Sequence, residues 1–459
     1  SGVAACEALV TRGAVVTALD SATDGPVVQR AEQAEGLGVR VVLGPDAQTL
    51  PGGTDLVVAS PGWPPHAPLL QEAARSDVEV WGEVELAWRL RGPDPAPWLV
   101  VTGTNGKTTT TRMLESILRS DGRTAIAVGN IGVPLVSVVT GPTRYDCLAV
   151  ELGSPQLHSV RSVRAHAATV LNLAPDHIDW HGSFEAYRAA KRVAYDRCQD
   201  LAVVNADDPA TVQLADQAQV GPGCRTVAFT LGAPTPGQLG VVDGSLVDRS
   251  GTPDGVVLAS VSDVHPAAPH NTANALAAAA LAGSLDVAPG SVAQGLRRFV
   301  AEPHRIALVA DVDGVQWVDD SKATNTHAAV TSLRAYPSVV WVAGGLAKGG
   351  EFDDLVRAEA GRLRGAVLLG TDRDRIAEAL ARHAPAIPVV EVSGEQTDHM
   401  PLMDRVVTAA AVLARPGDTV LLAPACASWD QFSDYTERGR AFADSVERLV
   451  VAGDSGGAT

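Results

Sequence analysis

Short apolar runs rich in Val, Leu and Ala alternate with longer stretches of helical periodicity over most of the 459-residue chain. A continuous apolar run is typical of a strand that is buried on both faces, as in a parallel sheet covered by helices. The pattern therefore predicts the α/β fold class. The predicted buried strands lie at residues 14–19, 39–43, 56–59, 98–102, 148–150, 170–173, 315–318, 339–343, 366–369, 389–392 and 420–423.

Proline-containing breaks predict the domain boundaries. The segment Arg-Gly-Pro-Asp-Pro-Ala-Pro at residues 91–97 immediately precedes a predicted strand, and Glu302-Pro303 interrupts the chain after two predicted helices. The length allows roughly three domains of ordinary size. We therefore predict three domains, the first and last of them Rossmann-like, at residues 1–95, 96–300 and 301–459.

Two local signals refine this organisation. The chain opens with a helical pattern directly after Ser1-Gly2. Because a Rossmann-type unit starts with a strand and a glycine turn, we expect that the first strand of the N-terminal domain is missing from this sequence. Further along, Asp243-Gly244 separates two short apolar runs and predicts a hairpin turn, which indicates an antiparallel extension of the middle domain.

Charge and composition exclude several functions. The chain has 36 Lys and Arg against 53 Asp and Glu, a net charge of -17, which argues against binding of nucleic acid or of an anionic membrane. No apolar run approaches the roughly 20 residues of a membrane span, and no signal-like segment opens the sequence. The scattered, odd-numbered cysteines suit a reducing compartment, so we predict a cytoplasmic protein. The five cysteines are Cys6, Cys147, Cys198, Cys224 and Cys426.

A glycine-rich loop follows the strand predicted at residues 98–102. Glycines at such a turn let backbone N–H groups surround phosphate oxygens, the lysine reaches the β- and γ-phosphates, and the threonine can ligate magnesium. Val101 stands where the generic motif has glycine, so the loop is a shortened variant. The alternative is a glycine-rich turn with a solvated lysine. The order of strand, loop and helix favours a P-loop ATPase-like central domain that binds ATP through Gly103, Thr104, Asn105, Gly106, Lys107, Thr108 and Thr109.

Polar side chains also follow two other predicted strands. Glu151 ends one, and Asp176-His177 follows the next. Because ligands bind at the carboxyl ends of strands in open α/β sheets, Glu151 and His177 could bind magnesium beside the phosphates. A zinc site from His177 and His181 is possible by residue type, but the oxygen-rich surroundings and a nucleotide favour magnesium. Lys191 lies on a predicted helix nearby, and the sequence around it indicates a solvated lysine.

The combination of motifs resembles the Mur ligase family. The motifs are Gly-Thr-Asn-Gly-Lys-Thr-Thr-Thr from Gly103, Glu151, Asp176-His177, His270-Asn271-x-x-Asn274, Pro303-His304-Arg305 and Asp320-Ser321-Lys322-Ala323-Thr324-Asn325. The segment Pro-Ala-Cys-Ala-Ser-Trp-Asp-Gln-Phe at residues 424–432 is most similar to members that add D-glutamate. The resemblance implies three domains that bind, in order, a UDP-sugar, ATP and an amino acid. It also implies a monomer that forms an amide between D-glutamate and UDP-N-acetylmuramoyl-L-alanine through an acyl phosphate.

The resemblance further implies roles for individual residues. Lys107, Glu151, His177 and Lys191 would be catalytic, and Lys191 would become a carbamate that, with Thr108, Glu151 and His177, binds magnesium at two sites. The ATP-binding residues outside the loop would be Asn271, Arg305 and Asp320, and Asn274 could share the role of Asn271. The implied UDP-sugar contacts are Ser1, Asp20, Ser60, Pro61, Gly62, Asn130 and His177. The implied amino-acid contacts are Lys322, Thr324, Lys348, Ser428, Trp429 and Tyr435.

Some positions depart from the family pattern. The usual Ser-Ser-Phe-Gln after the strand-end glutamate is Gly-Ser-Pro-Gln at residues 153–156, and the loop of Lys348 lacks an acidic residue two positions earlier.

Other functions stay open at this point. Within the superfamily they are a folylpolyglutamate synthase or a ligase for another amino acid, although the Asn-Pro-Arg signature of diamino-acid ligases is missing. A switch or transport ATPase would use the same phosphate loop without forming a bond. A dinucleotide-dependent oxidoreductase is disfavoured because no intact Gly-x-Gly-x-x-Gly follows a strand.

Overall fold

A computed structural model of the chain describes residues 1–301, 303–394 and 400–451. They form two compact units, one of residues 1–267 and 271–299, the other of residues 268–270 and the chain from Val300 onward. The predicted domain break is at Glu302-Pro303, and Glu302 lies outside the described residues. The division into three domains stays a prediction.

The first unit contains strands at or near the predicted residues 14–19, 39–43, 56–59, 98–102 and 148–150, together with strands, among them those at residues 79–82, 125–129 and 201–205, that the hydrophobic pattern did not predict. They are β1 (Thr17–Asp20), β2 (Arg40–Leu43), β3 (Leu56–Ala59), β4 (Glu79–Gly82), β5 (Trp98–Thr102), β6 (Ala125–Gly129), β7 (Cys147–Glu151), β8 (Ala167–Val170), β9 (Leu201–Asn205), β10 (Arg225–Phe229), β11 (Gln238–Val242), β12 (Ser245–Asp248) and β13 (Val256–Ser260). The helices are α1 (Gly2–Val10), α2 (Pro26–Gly36), α3 (Pro68–Arg75), α4 (Glu83–Leu90), α5 (Lys107–Ser120), α6 (Leu135–Thr140), α7 (Ser154–His158), α8 (Ile178–His181), α9 (Phe184–Arg192), α10 (Pro209–Gln217), α11 (Pro269–Gly283) and α12 (Pro289–Arg298), with 3-10 turns at Pro45–Gln48 and Val261–Asp263.

The large sheet of this unit has the order β13-β12-β11-β10-β9-β8-β5-β7-β6. Strands β5 to β11 pair in parallel, whereas β11, β12 and β13 are antiparallel neighbours. Every residue of β5, β7 and β8 is buried, which is why these strands are continuous apolar runs. The predicted hairpin at Asp243-Gly244 is confirmed, because Val242 pairs with Ser245. The small parallel sheets β1-β2 and β3-β4 complete the unit.

One strand is displaced from its prediction. The run at residues 170–173 predicts a strand, but β8 ends at Val170. Beyond it the chain turns toward the glycine-rich loop, where the carbonyl oxygen of Asn172 accepts a hydrogen bond from Thr104 N at 3.0 Å. The side chain of Asp208 accepts another from Leu173 N at 2.8 Å. The backbone groups of Asn172 and Leu173 are used in these hydrogen bonds, so they do not pair within the sheet as they would in a longer strand.

The second unit contains one sheet with the order β14-β15-β19-β16-β17-β18. β14 and β15 are antiparallel, and the remaining neighbours are parallel. Trp341 lies in the core on one face, and Trp317 packs with Phe442 on the other. The elements are β14 (Ala307–Val312), β15 (Val315–Asp319), β16 (Val339–Gly344), β17 (Leu363–Leu369), β18 (Val389–Glu391), β19 (Thr419–Leu422), α13 (Thr326–Leu333), α14 (Asp353–Glu359), α15 (Arg373–His383), α16 (Leu402–Leu413) and α17 (Tyr435–Val446), a 3-10 turn at Ala360–Arg362 and a π-helical turn at Glu447–Val451.

The α/β prediction is therefore confirmed, with large, mostly parallel sheets in both units. Within residues 1–301, 303–394 and 400–451, no helix is both long and apolar enough to cross a membrane.

A buried carboxylate joins the N-terminal part of the first unit to the large-sheet region. Glu85 of α4 is fully buried and accepts hydrogen bonds from Arg161 N at 2.8 Å and from Ser162 N at 2.9 Å. It also accepts from Ser162 Oγ and, at 2.7 Å, from Arg89 Nε. Burial raises the pKa of Glu85, but the hydrogen bonds from Ser162, Arg161 and Arg89 outweigh burial, and the net pKa is lowered. The ionised carboxylate is therefore the form that stabilises this junction.

Replacing Glu85 with Ala should destabilise the protein by about 3 kcal/mol, because buried backbone N–H groups lose their acceptor. Denaturant titration followed by tryptophan fluorescence measures the loss. Arg89→Ala is the matched control, since the Arg89 side chain is 38% exposed, and it should cost less than about 1 kcal/mol. Equal losses in the two variants would contradict this role of Glu85.

The same contribution should depend on pH. Since the pKa of Glu85 is lowered in the folded protein, its stabilisation is fully present above its ordinary pKa of 4.5 and is lost as the pH falls through the lower folded value. The stability difference between wild type and Glu85→Gln should shrink over that acidic range.

Candidate active site

The glycine-rich loop connects β5 to α5 and has the shape of a phosphate cradle. Thr102 ends the strand, Gly106 adopts a left-handed conformation with φ of 82°, and the helix begins at Lys107. Lys107 Nζ donates to the carbonyl oxygens of Gly103 at 3.0 Å and Thr104 at 2.8 Å. The lysine therefore lies over the loop whose N–H groups and helix N-terminus favour a bound anion.

Gly106 is required by its conformation and by a close neighbour. A Cβ atom at this position would lie 2.4 Å from Oδ1 of Asn274, a buried residue of α11. Asn274 Nδ2 donates to Asn271 Oδ1 at 3.3 Å, and Asn271 Nδ2 donates to Pro266 O at 3.0 Å. The structure thus places the Asn271–Asn274 pair beside the loop, with Asn274 in direct contact.

Two residues that the sequence did not single out support the loop. Thr104 Oγ1 lies 2.7 Å from the hydroxyl of Tyr187, and Asn105 N donates to Asn172 Oδ1 at 2.8 Å. Asn172 also donates to Asn105 O at 3.1 Å. The spacing of four residues between Tyr187 and Lys191 on α9, which places both on one helix face, was a signal that could have identified Tyr187.

Lys191 is buried, with 1% of its surface exposed, which excludes a solvated helix lysine. Its Nζ donates to Thr102 Oγ1 at 3.3 Å and lies 4.9 Å from the centroid of the Tyr187 ring. Burial first, and then the positive charge of Lys107, hold the pKa of Lys191 well below its ordinary value. The neutral amine, which is the nucleophilic form, is therefore favoured.

Glu151 ends β7 at the same sheet edge and is 1% exposed. Its Oε1 accepts from Asn130 Nδ2 at 3.0 Å, whereas Oε2 is buried and has no hydrogen-bond partner among the described residues. A buried carboxylate oxygen without a donor is costly unless a cation binds it. Thr108, buried in the first turn of α5, adds a hydroxyl. These groups fit magnesium, which keeps waters and substrate phosphates among its ligands.

His177 and His181, the two histidines considered as zinc ligands, differ in their surroundings. His177 caps α8 in a left-handed conformation, and its side chain is 54% exposed. His181 Nε2 instead lies 3.0 Å from Oγ of the buried Ser154. Burial, followed by the charges of His158 and His177, lowers the pKa of His181 to about 4. Nowhere in the described ranges do three or more His, Cys, Asp or Glu side chains cluster as metal ligands.

A cavity of about 250 Å³ in the first unit brings together some of the predicted UDP-sugar contacts. Ser1, Pro61 and Asn130 line it, as do Glu83 and Gln156, which the sequence did not indicate. Ser60 and Gly62 flank Pro61 in a turn closed by a 3.0 Å hydrogen bond from Trp63 N to Ser60 O. Asp20, at the end of β1, is outside the lining and accepts from Ala22 N at 3.0 Å.

In the second unit, two predicted lysines each lie over an aromatic ring. Lys322 Nζ is 3.9 Å from the centroid of Tyr435, and Lys348 Nζ is 3.7 Å from that of Trp429. Such cation–π contacts position an ammonium group without neutralising its charge. The other predicted contacts lie on the same loops: Thr324 N donates to Lys322 O at 2.8 Å, and Ser428, next to Trp429, is buried.

Asp320 follows β15 and is buried. Burial raises its pKa to about 6, although a hydrogen bond from Ser332 and the charge of Arg305 act in the opposite direction. The structure therefore brings the predicted Arg305 and Asp320 into one electrostatic group within this unit.

Arg438 is a buried residue of α17 that sequence reasoning missed. It is 1% exposed, and its Nη2 donates to Ser321 O at 2.9 Å and its Nη1 to Cys426 O at 3.2 Å. Burial lowers its pKa to about 10. The guanidinium thus joins the loop of Lys322 to the loop of Ser428. No local signal distinguishes it from the exposed charged residues of the same helix.

Family models match both units. Residues 101–282 match the Mur ligase middle domain, and residues 304–426 match the Mur ligase glutamate ligase domain.

Curated relatives match nearly the whole chain. A UDP-N-acetylmuramoylalanine--D-glutamate ligase of Streptomyces avermitilis is 57% identical over 98% of this chain and 96% of its own length. The enzyme of the same name from Thermobifida fusca is 55% identical over 98% of this chain and 97% of its own length.

Solved structures show the same fold at low sequence identity. A pseudomurein peptide ligase type C from Methanothermus fervidus superposes with a TM-score of 0.59 at 17% identity, covering 97% of each chain. The UDP-N-acetylmuramate-alanine ligase of Thermotoga maritima gives a TM-score of 0.57 at 18% identity, covering 98% of this chain and 97% of its own.

Replacing Gly106 with Ala should lower the affinity for ATP at least about tenfold, because the new methyl group meets Asn274 and the left-handed conformation disfavours a side chain. Isothermal titration with a non-hydrolysable ATP analogue and magnesium measures the affinity.

The control for this variant is Gly122→Ala. Gly122 has φ of +83° but no atom within 4 Å of the added Cβ, so it carries the backbone strain without the contact. Its affinity for ATP should stay at the wild-type value. A similar loss in both variants would show that the contact with Asn274 does not matter.

Proposed function

The chain belongs to the Mur ligase family, and on that premise we propose that it is the ATP-dependent ligase that joins D-glutamate to UDP-N-acetylmuramoyl-L-alanine in peptidoglycan precursor synthesis. The observation that carries the proposal is the 57% identity to a D-glutamate ligase over 98% of the chain. The phosphate loop and the buried Lys191 support the ligase chemistry. Glu151 supports it as well, since its Oε2 has no hydrogen-bond partner among the described residues.

The proposed reaction has two steps. An oxygen of the alanyl carboxylate attacks the γ-phosphorus of ATP, ADP leaves, and an acyl phosphate forms. The amine of D-glutamate then attacks the acyl carbon, phosphate leaves, and the amine loses its proton. Activation is needed because a carboxylate oxygen is a poor leaving group, whereas phosphate is a good one.

The residues around the phosphate loop have a defined task in this scheme. Lys107 and the N–H groups at the start of α5 stabilise charge on the transferred phosphoryl group. Thr108, Glu151, His177 and a carbamate on Lys191 would hold magnesium, which supplies further charge neutralisation when bound. An ammonium at Lys191 would repel the metal, whereas burial lowers the pKa of this amine and so favours the neutral form that carbamate formation requires.

We assign amino-acid binding to the second unit. Lys322 and Lys348 would pair with the two carboxylates of D-glutamate, since charge-assisted hydrogen bonds to an ammonium are strong. Thr324, on the loop of Lys322, Ser428 and Trp429, on the loop after β19, and Tyr435, at the start of α17, would complete this binding site. Asn271, Arg305 and Asp320 would contact ATP outside its triphosphate, and Ser1, Asp20, Ser60, Pro61, Gly62, Asn130 and His177 would contact the UDP-sugar.

The direct test is phosphate release by the purified chain with ATP, magnesium and UDP-N-acetylmuramoyl-L-alanine, while D- and L-amino acids are supplied one at a time. Phosphate should appear with D-glutamate, because only this amine completes the second step, and mass spectrometry should detect the dipeptidyl product.

The controls for this assay omit one substrate each. Phosphate release without the sugar nucleotide would favour a switch or transport ATPase. Equal turnover with L-glutamate would contradict the assignment of the amino acid.

Replacing Lys191 with Ala should lower kcat about 100-fold or more, because the site loses a ligand for the metal. Acetate or formate at high concentration should restore part of the activity by occupying the position of the carbamate. A carbamate signal after incubation with ¹³C-bicarbonate, seen by NMR in the wild type only, would identify the modification directly.

Lys322→Ala serves as the matched control for rescue, since its lysine is proposed to bind substrate and not metal. It should lose activity that short carboxylates do not restore. Absence of the carbamate signal from the wild type would refute the modification even if Lys191 is essential.

A further inference from the structure

Two cysteines outside the proposed site precede neighbouring parallel strands. Cys224 comes one residue before β10, and Cys198 comes three residues before β9. The strands pair in parallel with Leu201 opposite Arg225, which brings the two entry segments to the same end of the sheet. Both cysteines are free thiols, and the Cys224 side chain is near enough to contribute to the raised pKa of Cys198.

The backbone around the two thiols is held closely together. Gly221 N donates to Cys198 O at 2.7 Å, and Arg197 N donates to Gln219 O at 2.7 Å. A Cβ atom on Gly221 would lie 2.8 Å from Cys198 O, so the approach requires glycine here. A disulfide needs Cα atoms within about 7 Å and Cβ atoms that face each other. The parallel pairing of the two strands and the hydrogen bond between Gly221 and Cys198 favour this geometry.

The two thiols differ in their access to solvent. Cys198 is fully buried and donates to Leu201 O at 3.3 Å, whereas Cys224 is partly exposed. A small oxidant can therefore reach Cys224 first, and Cys198 is placed to resolve the product. This division between an accessible and a resolving thiol is the arrangement that thiol–disulfide exchange uses.

We propose that Cys198 and Cys224 are a redox modification site that closes to an intramolecular disulfide on exchange with a low-molecular-weight disulfide. The Cys224 thiolate attacks one sulfur of the small disulfide, whose S–S bond breaks and releases a thiol. Cys198, on losing its proton, then attacks Cys224 Sγ and expels the second thiol. The two cysteines lose two electrons and two protons, and the small disulfide takes them up as two thiols.

The position of this pair determines its effect. The phosphate loop and Glu151 follow the carboxyl ends of β5 and β7, whereas the cysteines precede the amino ends of β9 and β10. The disulfide therefore closes at the sheet edge opposite to the candidate site. We expect the oxidised protein to be stabilised, with its ligase activity retained. The proposal does not rest on the proposed function, because the bond is detected without an activity assay.

The experiment treats the full chain with oxidised glutathione and digests it with trypsin after alkylation. Because no Lys or Arg lies between Arg197 and Arg225, both cysteines fall on one peptide, residues 198–225, that contains no other cysteine. That peptide should be two hydrogen atoms lighter and unalkylated. The denatured protein, with 5 cysteines in its sequence, should retain only the thiols of Cys6, Cys147 and Cys426.

A thermal melt provides a second readout. The oxidised wild type should gain about 5 °C in Tm, since the bond closes a loop in the unfolded chain. Cys6→Ala should behave like the wild type, whereas Cys224→Ala should gain neither the bond nor the shift. An unchanged thiol count, a glutathione adduct that persists on Cys224, or a bond between two chains would overturn the proposal.

Discussion

The desolvation of Lys191 beside the phosphate loop is the constraint on which the proposed site depends. Burial, followed by the positive charge of Lys107, holds the pKa of this amine well below its ordinary value, next to Thr102 and the ring of Tyr187. Glu151 is buried at the same sheet edge, and its Oε2 has no hydrogen-bond partner in the part of the chain that the structure describes. Binding of a cation and phosphates at this edge would explain both features, because Lys191 and Glu151 would then each have a partner among the bound groups.

Hydrogen bonds from distant segments hold several polar groups around the phosphate loop. Thr104 shares its hydroxyl with Tyr187 and with the backbone of Ala174, and Asn105 and Asn172 exchange hydrogen bonds. Glu85 fixes the N-terminal segment by the same means. Because a buried polar group without a partner costs more than a hydrogen bond gains, each of these networks has one favourable arrangement.

In the second unit, Lys322 and Lys348 each lie over an aromatic ring, which limits the motion of their ammonium groups. Arg438 joins the loop of Lys322 to the loop of Ser428, because its guanidinium binds the backbone at Ser321 and Cys426. A planar fork with several donors suits this task better than a lysine would, because it reaches both loops at once.

The sequence by itself determined the features that depend on neighbouring residues. The boundaries of β5, the phosphate loop, the hairpin at Asp243-Gly244 and the α/β class all follow from local patterns. Tertiary structure alone decided the partners of these features. The hydrogen bonds of Thr104 with Tyr187, of Asn105 with Asn172 and of Arg438 with Ser321 join residues 83, 67 and 117 positions apart. Tyr187, Asn172 and Arg438 look like ordinary surface residues in the sequence, because burial, and with it the lowered pKa of Lys191, exists only once distant segments have packed together.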